Sequence, residues 1–310
     1  MNGLQGIKKR IRSISATHKV TSAMKLIAAA QLRQVMHSLP WVRSYEETLL
    51  KALLKALRGM TAEERGHFRA TLPWFYVRSD AAKPHIICVL GAQKGLCGGY
   101  NLTVIHEALA EEKRCRNPSS SFIPLTAKTS EYFLKHKAEK TEPLAGLGHF
   151  AEKTHSLDLA VYVLEHMINW FHNEEAGSVA LVSGHFVNAL IQKAETFSLF
   201  PFWRFLEEKL DQEEFFETES IMLPTFEPTS AQVLKAVIDQ LILIKIYRTY
   251  LESEACESAA RMTTMDSSKH NAEELMKKLN LQYNSARQAN ITNELIEIIA
   301  GTSALSQDEM

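Results

Sequence analysis

Residues 91–101 carry the densest chemistry-bearing pattern in the chain, with Gly91, Gly95, Gly98 and Gly99 inside the run GAQKGLCGGYN. The run follows a β-branched-rich stretch, His85 to Leu90 (HIICVL), and precedes a helical pattern from Leu102 to about Arg114. A glycine turn between a strand and a helix is where a phosphate can rest on backbone N–H groups. The spacing argues against that use here. GxxxxGK[ST] is absent, and the glycines do not fall as G-x-G-x-x-G, so the expectation is a tight strand-to-helix turn without a ligand. No GxSxG, no triad arrangement and no carboxylate pair at a defined spacing accompanies it. Cys88, Cys97, Cys115 and Cys256 form no CxxC pair and have no histidine at metal spacing. A reduced compartment is expected, with Cys88 packed in a strand. The twelve histidines are scattered without an HExxH cluster. Neither a metal site nor a cofactor is expected.

The segments flanking this loop are long. From Thr229 to Met310 there is no proline and one glycine, Gly301. A seam of Met262, Met265, Lys269, Ala272, Met276, Leu279, Tyr283 and Ala286 steps by threes and fours, as in a coiled coil. Some seventy helical residues would span roughly 100 Å, so this helix must be paired, inserted into something, or both. Residues 4 to 57 read as a second long helix. Leu4, Ile7, Ile11 and Ile14 begin its pattern. After a phase shift near His18 it resumes through Val20, Met24, Ile27, Leu32, Val35 and Leu39, then Tyr45, Leu49, Leu50, Leu53, Leu54 and Leu57. Pro40 is expected to kink or briefly interrupt it, and Gly59 to stop it.

Between the helices the pattern changes to short strands and helices. Beyond His85 to Leu90, strands are expected at Phe122 to Leu125, Ser178 to Ser183, parts of Phe186 to Phe200, and Ile221 to Phe226. Helices are expected at Thr129 to Lys137 and Leu157 to His172. Asn117 to Ser121 and Pro143 to Gly148 read as loops, and Glu207 to Glu219 as an exposed acidic connection. Strands alternating with helices predict an open, Rossmann-like α/β sheet. The domain reading is therefore 1–58 and 229–310 as a long antiparallel two-helix coiled coil, with residues 59–228 inserted as the α/β domain.

At 310 residues and 45% hydrophobic, the chain has enough apolar material for about two domains. The net charge of −1 conceals a gradient. The first sixty residues hold eleven Lys and Arg against Glu46 and Glu47. Such a block suits nucleic acid, an anionic membrane surface or acidic protein partners. No aromatic interleaving or known motif supports nucleic acid. The basic residues 8–12 are followed by polar Ser13 to Lys19 rather than the apolar stretch of a signal peptide. The best apolar run, Val237 to Ile246, is interrupted by Asp239 and Lys245, so a soluble or peripheral protein is expected.

Three stretches carry a resemblance. Thr17 to Arg33 (THKVTSAMKLIAAAQLR) is similar to T-x-K-I-T-x-A-M-x-M-V-A-A-x-K-(L/M)-R. Gly95 to Asn101 matches GLCGG-x-N. Glu257 to Met265, Asn271-Ala272 and Leu279 to Gly301 match a closing signature that runs through AARM, NA, YN-x-ARQ and IT-x-EL-x-EI. In order and at compatible distances, these resemble the gamma subunit of the F-type ATP synthase. Little matches at 59–84 or 111–223 beyond Phe186 to Gln192. Gly91 to Lys94 replaces S-T-D-R, and Arg43-Ser44-Tyr45 replaces Arg-Pro-Tyr. Cys256 stands for serine, and Thr264 for alanine.

The resemblance implies a rotor shaft that does no bond chemistry of its own. Its implied partners are the alpha and beta subunits, the epsilon subunit and the membrane c-ring, with no cofactor and no nucleic acid. It places Met24, Lys25 and Arg261 against the lever arm of a beta subunit. It places Arg287, Gln288, Thr292 and Glu297 in a polar catch with one beta subunit. The helix beginning within a few residues of Met1 points to a bacterial protein, peripheral on the cytoplasmic side of the inner membrane. The residues alone also admit a coiled-coil tether with an α/β adaptor domain, or a nucleotide-dependent enzyme using the 91–99 loop. Val233 to about Ala286 is expected to pair with the N-terminal helix, and Arg287 onward to outrun it.

Overall fold

The computed structural model describes residues 2–59, 63, 83–115, 117–142, 157–172, 176–202, 206 and 230–307. The expected loop at 143–148, the acidic connection at 207–219 and the strand at 221–226 lie outside these residues. In order, the elements are α1 (Asn2–Gly59), β1 (His85–Leu90), α2 (Tyr100–Cys115), β2 (Ser121–Pro124), α3 (Ala127–His136), α4 (Leu157–His172), β3 (Ser178–Phe186), β4 (Gln192–Phe200) and α5 (Ser230–Gln307). A 3₁₀ turn, Ala138–Lys140, follows α3. The two terminal helices are thus 58 and 78 residues long. Pro40 does not interrupt α1. Pro40 and Met36 are both exposed, so the carbonyl deprived of its amide donor lies on the solvent side. Meanwhile Val35, Leu39 and Leu50 are buried on the adjacent face and hold the helix to its partners.

The chain divides into two compact units, Met1–Ala28 with Arg261–Met310, and Ala29–Ala260. In the first unit the helices pair antiparallel. His18 Nε2 lies 2.9 Å from Glu273 Oε1, and Lys25 Nζ lies 2.7 Å from Asp266 Oδ1. Seven residues forward on one helix match seven back on the other. The α5 side of the seam is the one expected: Met265 and Ala272 are buried, and Met262, Lys269, Met276, Leu279, Tyr283 and Ala286 are half-buried. The α1 side differs from expectation. There is no phase shift at His18; the protected positions continue as Leu4, Ile7, Ile11, Ile14, His18, Thr21, Lys25 and Ala28. Val20 and Ile27 are instead 56% and 59% exposed. The seam tolerates His18 and Lys25 because each meets a carboxylate across it, which no apolar-spacing rule anticipates.

In the second unit, four strands lie in the order β2-β1-β3-β4. β1 runs parallel to β2 and to β3, pairing Cys88 with Ile123 and with Leu181. β4 is antiparallel to β3. Every residue of β1 is buried, which is why HIICVL reads as an unbroken apolar run: a central parallel strand is covered on both faces. β3 extends three residues beyond the expected end, through Gly184, His185 and Phe186. One core cluster joins Leu53, Leu54 and Leu57 of α1 and Leu234, Ile238 and Leu241 of α5 to Cys88, Leu181 and Phe200 of the sheet. A second joins Val104, Ile105 and Ala108 of α2 and Phe133 of α3 to Ile87, Val89, Cys256 and Ala260. Phe122 and Phe133 stack within it, with ring centroids 4.5 Å apart. Cys88 is buried in β1, and that burial pushes its thiol pKa up, so it packs as a small hydrophobe.

Buried charge also links α1 and α5 inside this unit. Glu46 takes Lys245 on one oxygen and Arg248 on the other, each at 3.1 Å. Glu252 accepts from Arg43 at 2.8 Å and meets His185 Nδ1 at 2.7 Å. The antiparallel arrangement of the two helices therefore holds here as well.

Candidate functional site

The end of β1 opens into the 91–99 loop, whose backbone is shaped by Leu96 and Gly98 with φ of 62° and 57°. Gly91 is required by crowding. A Cβ there would lie 2.7 Å from Thr129 Cγ2 and 2.9 Å from Asn101 Oδ1. Four successive amides leave the strand and each meets a side-chain oxygen. Gly91 donates to Thr126 Oγ1 at 3.2 Å and Ala92 to Asn101 Oδ1 at 2.8 Å. Gln93 donates to Glu257 Oε2 at 2.9 Å, and Lys94 to Glu257 Oε1 at 3.2 Å. Glu257 belongs to α5, 164 residues from Gln93. One turn earlier, Ser253 Oγ donates to the Leu90 carbonyl at 3.2 Å and lies 2.7 Å from the Tyr100 hydroxyl. Burial drives the Tyr100 pKa up, so the hydroxyl keeps its proton. The sequence alone assigns Ser253 no role, and Glu257 enters only as a letter of the closing motif. No local spacing connects either residue to the loop.

The residues expected to meet partners fall into two groups. Met24 is half-buried at the α1 seam, beside Lys25, which is paired with Asp266. That pairing holds the Asp266 carboxyl below its ordinary range. His18 does the same for Glu273. Arg261 is buried, with 7% of its surface exposed. Arg287, Gln288, Thr292 and Glu297 are all exposed on α5. Extending the seven-for-seven register brings Leu4 opposite Arg287, so α5 continues past the start of α1. From Ile291 through Ile299 every residue is exposed.

Helical geometry sorts this projecting end. At about 100° per residue, Ile291, Leu295, Ile296, Ile298 and Ile299 share one broad arc of roughly 160°, rather than scattering round the helix. Gln288 and Thr292 sit inside that arc, one turn apart, and the Thr292 hydroxyl donates back to the Gln288 carbonyl at 3.0 Å. Glu297 lies on the opposite side with Asn290, Asn293 and Glu294. The structure therefore brings Gln288 and Thr292 together and separates Glu297 from them. Among the described residues no His, Cys, Asp and Glu group has metal-holding geometry, and no helix is long and apolar enough to cross a membrane.

Two very long terminal helices that pair antiparallel, a mixed sheet domain inserted between them in the sequence and an exposed apolar helix end define a class of protein built as a long helical hairpin with an inserted α/β domain. Residues 3–305 match the family described as ATP synthase. The ATP synthase gamma chain of Pelotomaculum thermopropionicum is 33% identical over 305 residues, covering 98% of this chain and 100% of that one. The gamma chain of a Picosynechococcus species is 31% identical over 325 residues, with 98% and 100% covered. Among solved structures, a chain of the Euglena gracilis mitochondrial ATP synthase assembly containing OSCP, F1 and the c-ring superposes with a TM-score of 0.63. It is 18% identical, with 100% and 96% covered. The chain belongs to the ATP synthase gamma chain family.

Proposed function

We propose that this chain is the central rotor shaft of a proton-translocating F-type ATP synthase, carrying rotation of the c-ring to the alpha and beta subunits, and in reverse when ATP is hydrolysed. Residues 1–58 and 229–310 form the shaft and residues 59–228 the domain that meets the epsilon subunit and the c-ring. Bond chemistry belongs to the partner subunits, and this chain contributes none of its side chains to it. Its place is peripheral to the membrane, on the cytoplasmic side of a bacterial inner membrane.

The observation that carries this reading is the exposed apolar arc of Ile291, Leu295 and Ile296 beyond Arg287. Such an arc demands another surface to cover it, and a sleeve of alternating alpha and beta subunits provides one. Gln288 and Thr292, set into the apolar arc, offer hydrogen bonds of net ~1 kcal/mol each, which suits a contact that must break at every turn. Met24 and Lys25 supply a second contact zone for a beta subunit, to which Arg261 contributes from a buried position; Arg287 borders the first zone, and Glu297 offers a further polar contact on the opposite side of α5. The cations of α1 add long-range attraction to acidic loops without fixing a single geometry.

The test is assembly followed by coupling. Full-length chain is combined with the alpha and beta subunits of its own source, and the complex is returned to membranes stripped of it. Recovery of a stoichiometric complex that pumps protons on ATP addition is the expected result. Failure to assemble with alpha and beta would sink the reading in favour of a coiled-coil adaptor.

A further inference from the structure

The sheet order places the 91–99 loop at a special location. β1 connects through α2 to β2 on one side, whereas the chain returns to β3 on the other. The connections therefore diverge at the carboxyl ends of β1 and β3, the crevice in which open α/β folds hold a ligand. Here that crevice receives α5. Four consecutive amides, 91 to 94, point to acceptors there, and the only full negative charge among those acceptors is the Glu257 carboxylate. Its two oxygens take one amide each, and the residue is only 8% exposed. Ser253 and Tyr100 complete the contact one helical turn away. Gly184 of β3 closes it from the other strand, since a Cβ there would lie 2.5 Å from the Tyr100 hydroxyl.

We propose that Glu257 is a positioning residue for torque transfer: its carboxylate fills, from within the chain, the anion cradle at the switch point of the sheet, and so fastens the α/β domain to α5. Apolar contacts between the sheet and α5 resist separation but are non-directional and slide easily. Two charge-assisted hydrogen bonds to adjacent amides fix both position and angle. The proposal rests on the rotor reading above, because only a turning shaft has torque to transfer.

Two measurements separate the proposal from that reading. The first uses the full-length chain alone and follows hydrogen exchange at the Gln93 and Lys94 amides. Glu257→Ala is expected to accelerate both by roughly ten- to a hundredfold, the loss expected for a hydrogen bond to a charged group. Added acetate should restore protection, whereas chloride at equal ionic strength should not. Glu257→Gln keeps the side-chain volume and should accelerate the same two amides while leaving that of Ile87 in β1 unchanged. Equal exchange in wild type and Glu257→Ala, or acceleration at Ile87 matching that at Gln93, would overturn the proposal. The second uses the assembled complex. Glu257→Gln should lower the protons moved per ATP hydrolysed, and acetate should raise the ratio in Glu257→Ala. Lost amide protection with an unaltered ratio would overturn torque transfer. Failure of the wild-type chain to assemble would instead remove the rotor reading and leave the exchange result standing.

Discussion

Lys245 Nζ lies 3.1 Å from Glu46 Oε1, and the two side chains are only 10% and 7% exposed. The Phe197 ring covers the ammonium, 4.3 Å from its centroid. Burial pushes the Lys245 pKa down and the Glu46 charge pushes it back up. A buried pair of this kind adds little over a well-packed apolar pair, but breaking it leaves a charge uncompensated. Glu46→Gln should therefore cost about 3 kcal/mol. A Glu46→Met, Lys245→Met double variant should recover part of that loss, because Arg248, the other cation on Glu46, still has Glu252 at 3.6 Å. Urea unfolding at neutral pH reads both, and a double variant no better than the single one would contradict the account.

Glu254 gives a pH dependence. Burial, with the Glu257 charge adding to it, pushes its pKa up to about 7. The folded state thus holds a proton that the unfolded state releases near the ordinary carboxylate value of 4.5. Stability contributed by this site falls as pH rises from there through about 7 and is flat beyond. Glu254→Gln should be more stable than wild type at pH 8, by on the order of 1–2 kcal/mol, and no more stable at pH 4. Thermal unfolding at the two pH values decides it; an equal gain at both would point to packing instead.

Truncation tests the division of α5. A stop after Gly301 should leave coupling of the assembled complex nearly intact, because Ile291 to Ile299 remain. A stop before Arg287 removes the whole exposed end and should loosen coupling, seen as ATP hydrolysis without matching proton movement. Full coupling in the shorter chain would refute the division.

Met24 is half-buried next to the Lys25–Asp266 pair. Met24→Lys adds a cation at a zone already held by an ion pair, and should strengthen or misplace the proposed beta-subunit contact. The expected outcome is a lower rate of proton-driven synthesis with the chain still assembled. Unchanged synthesis would remove Met24 from the contact.

How far the sequence reached differs between elements. β1 and α4 end where their patterns end, because a fully buried strand and a strongly amphipathic helix advertise themselves in composition. The α1 seam is not legible at His18 because its polar members are legitimised by Glu273 and Asp266, on a helix more than two hundred residues away. Val20 and Ile27, the residues that suggested the shift, face outward. The last residues of β3 are not legible because Gly184 and His185 look like a strand end. Gly184 is needed for the approach of Tyr100, and His185 for Glu252. The projecting end was legible, since its seam simply stops. The contact between Glu257 and the 91–94 amides was not, since a carboxylate matches an amide row only once the fold has brought them together.

The register of the terminal helices has a consequence for chain length. His18 faces Glu273 and Lys25 faces Asp266, so the pairing repeats every seven residues. One residue inserted in α1 between these pairs would turn everything before it by about 100°, moving His18 away from its carboxylate and rotating Ile11 and Ile14 out of the seam. Adding or removing a whole heptad in both helices at matching heights therefore keeps every seam residue in place, whereas a single residue does not. The shaft behaves as a ruler whose natural graduation is the heptad.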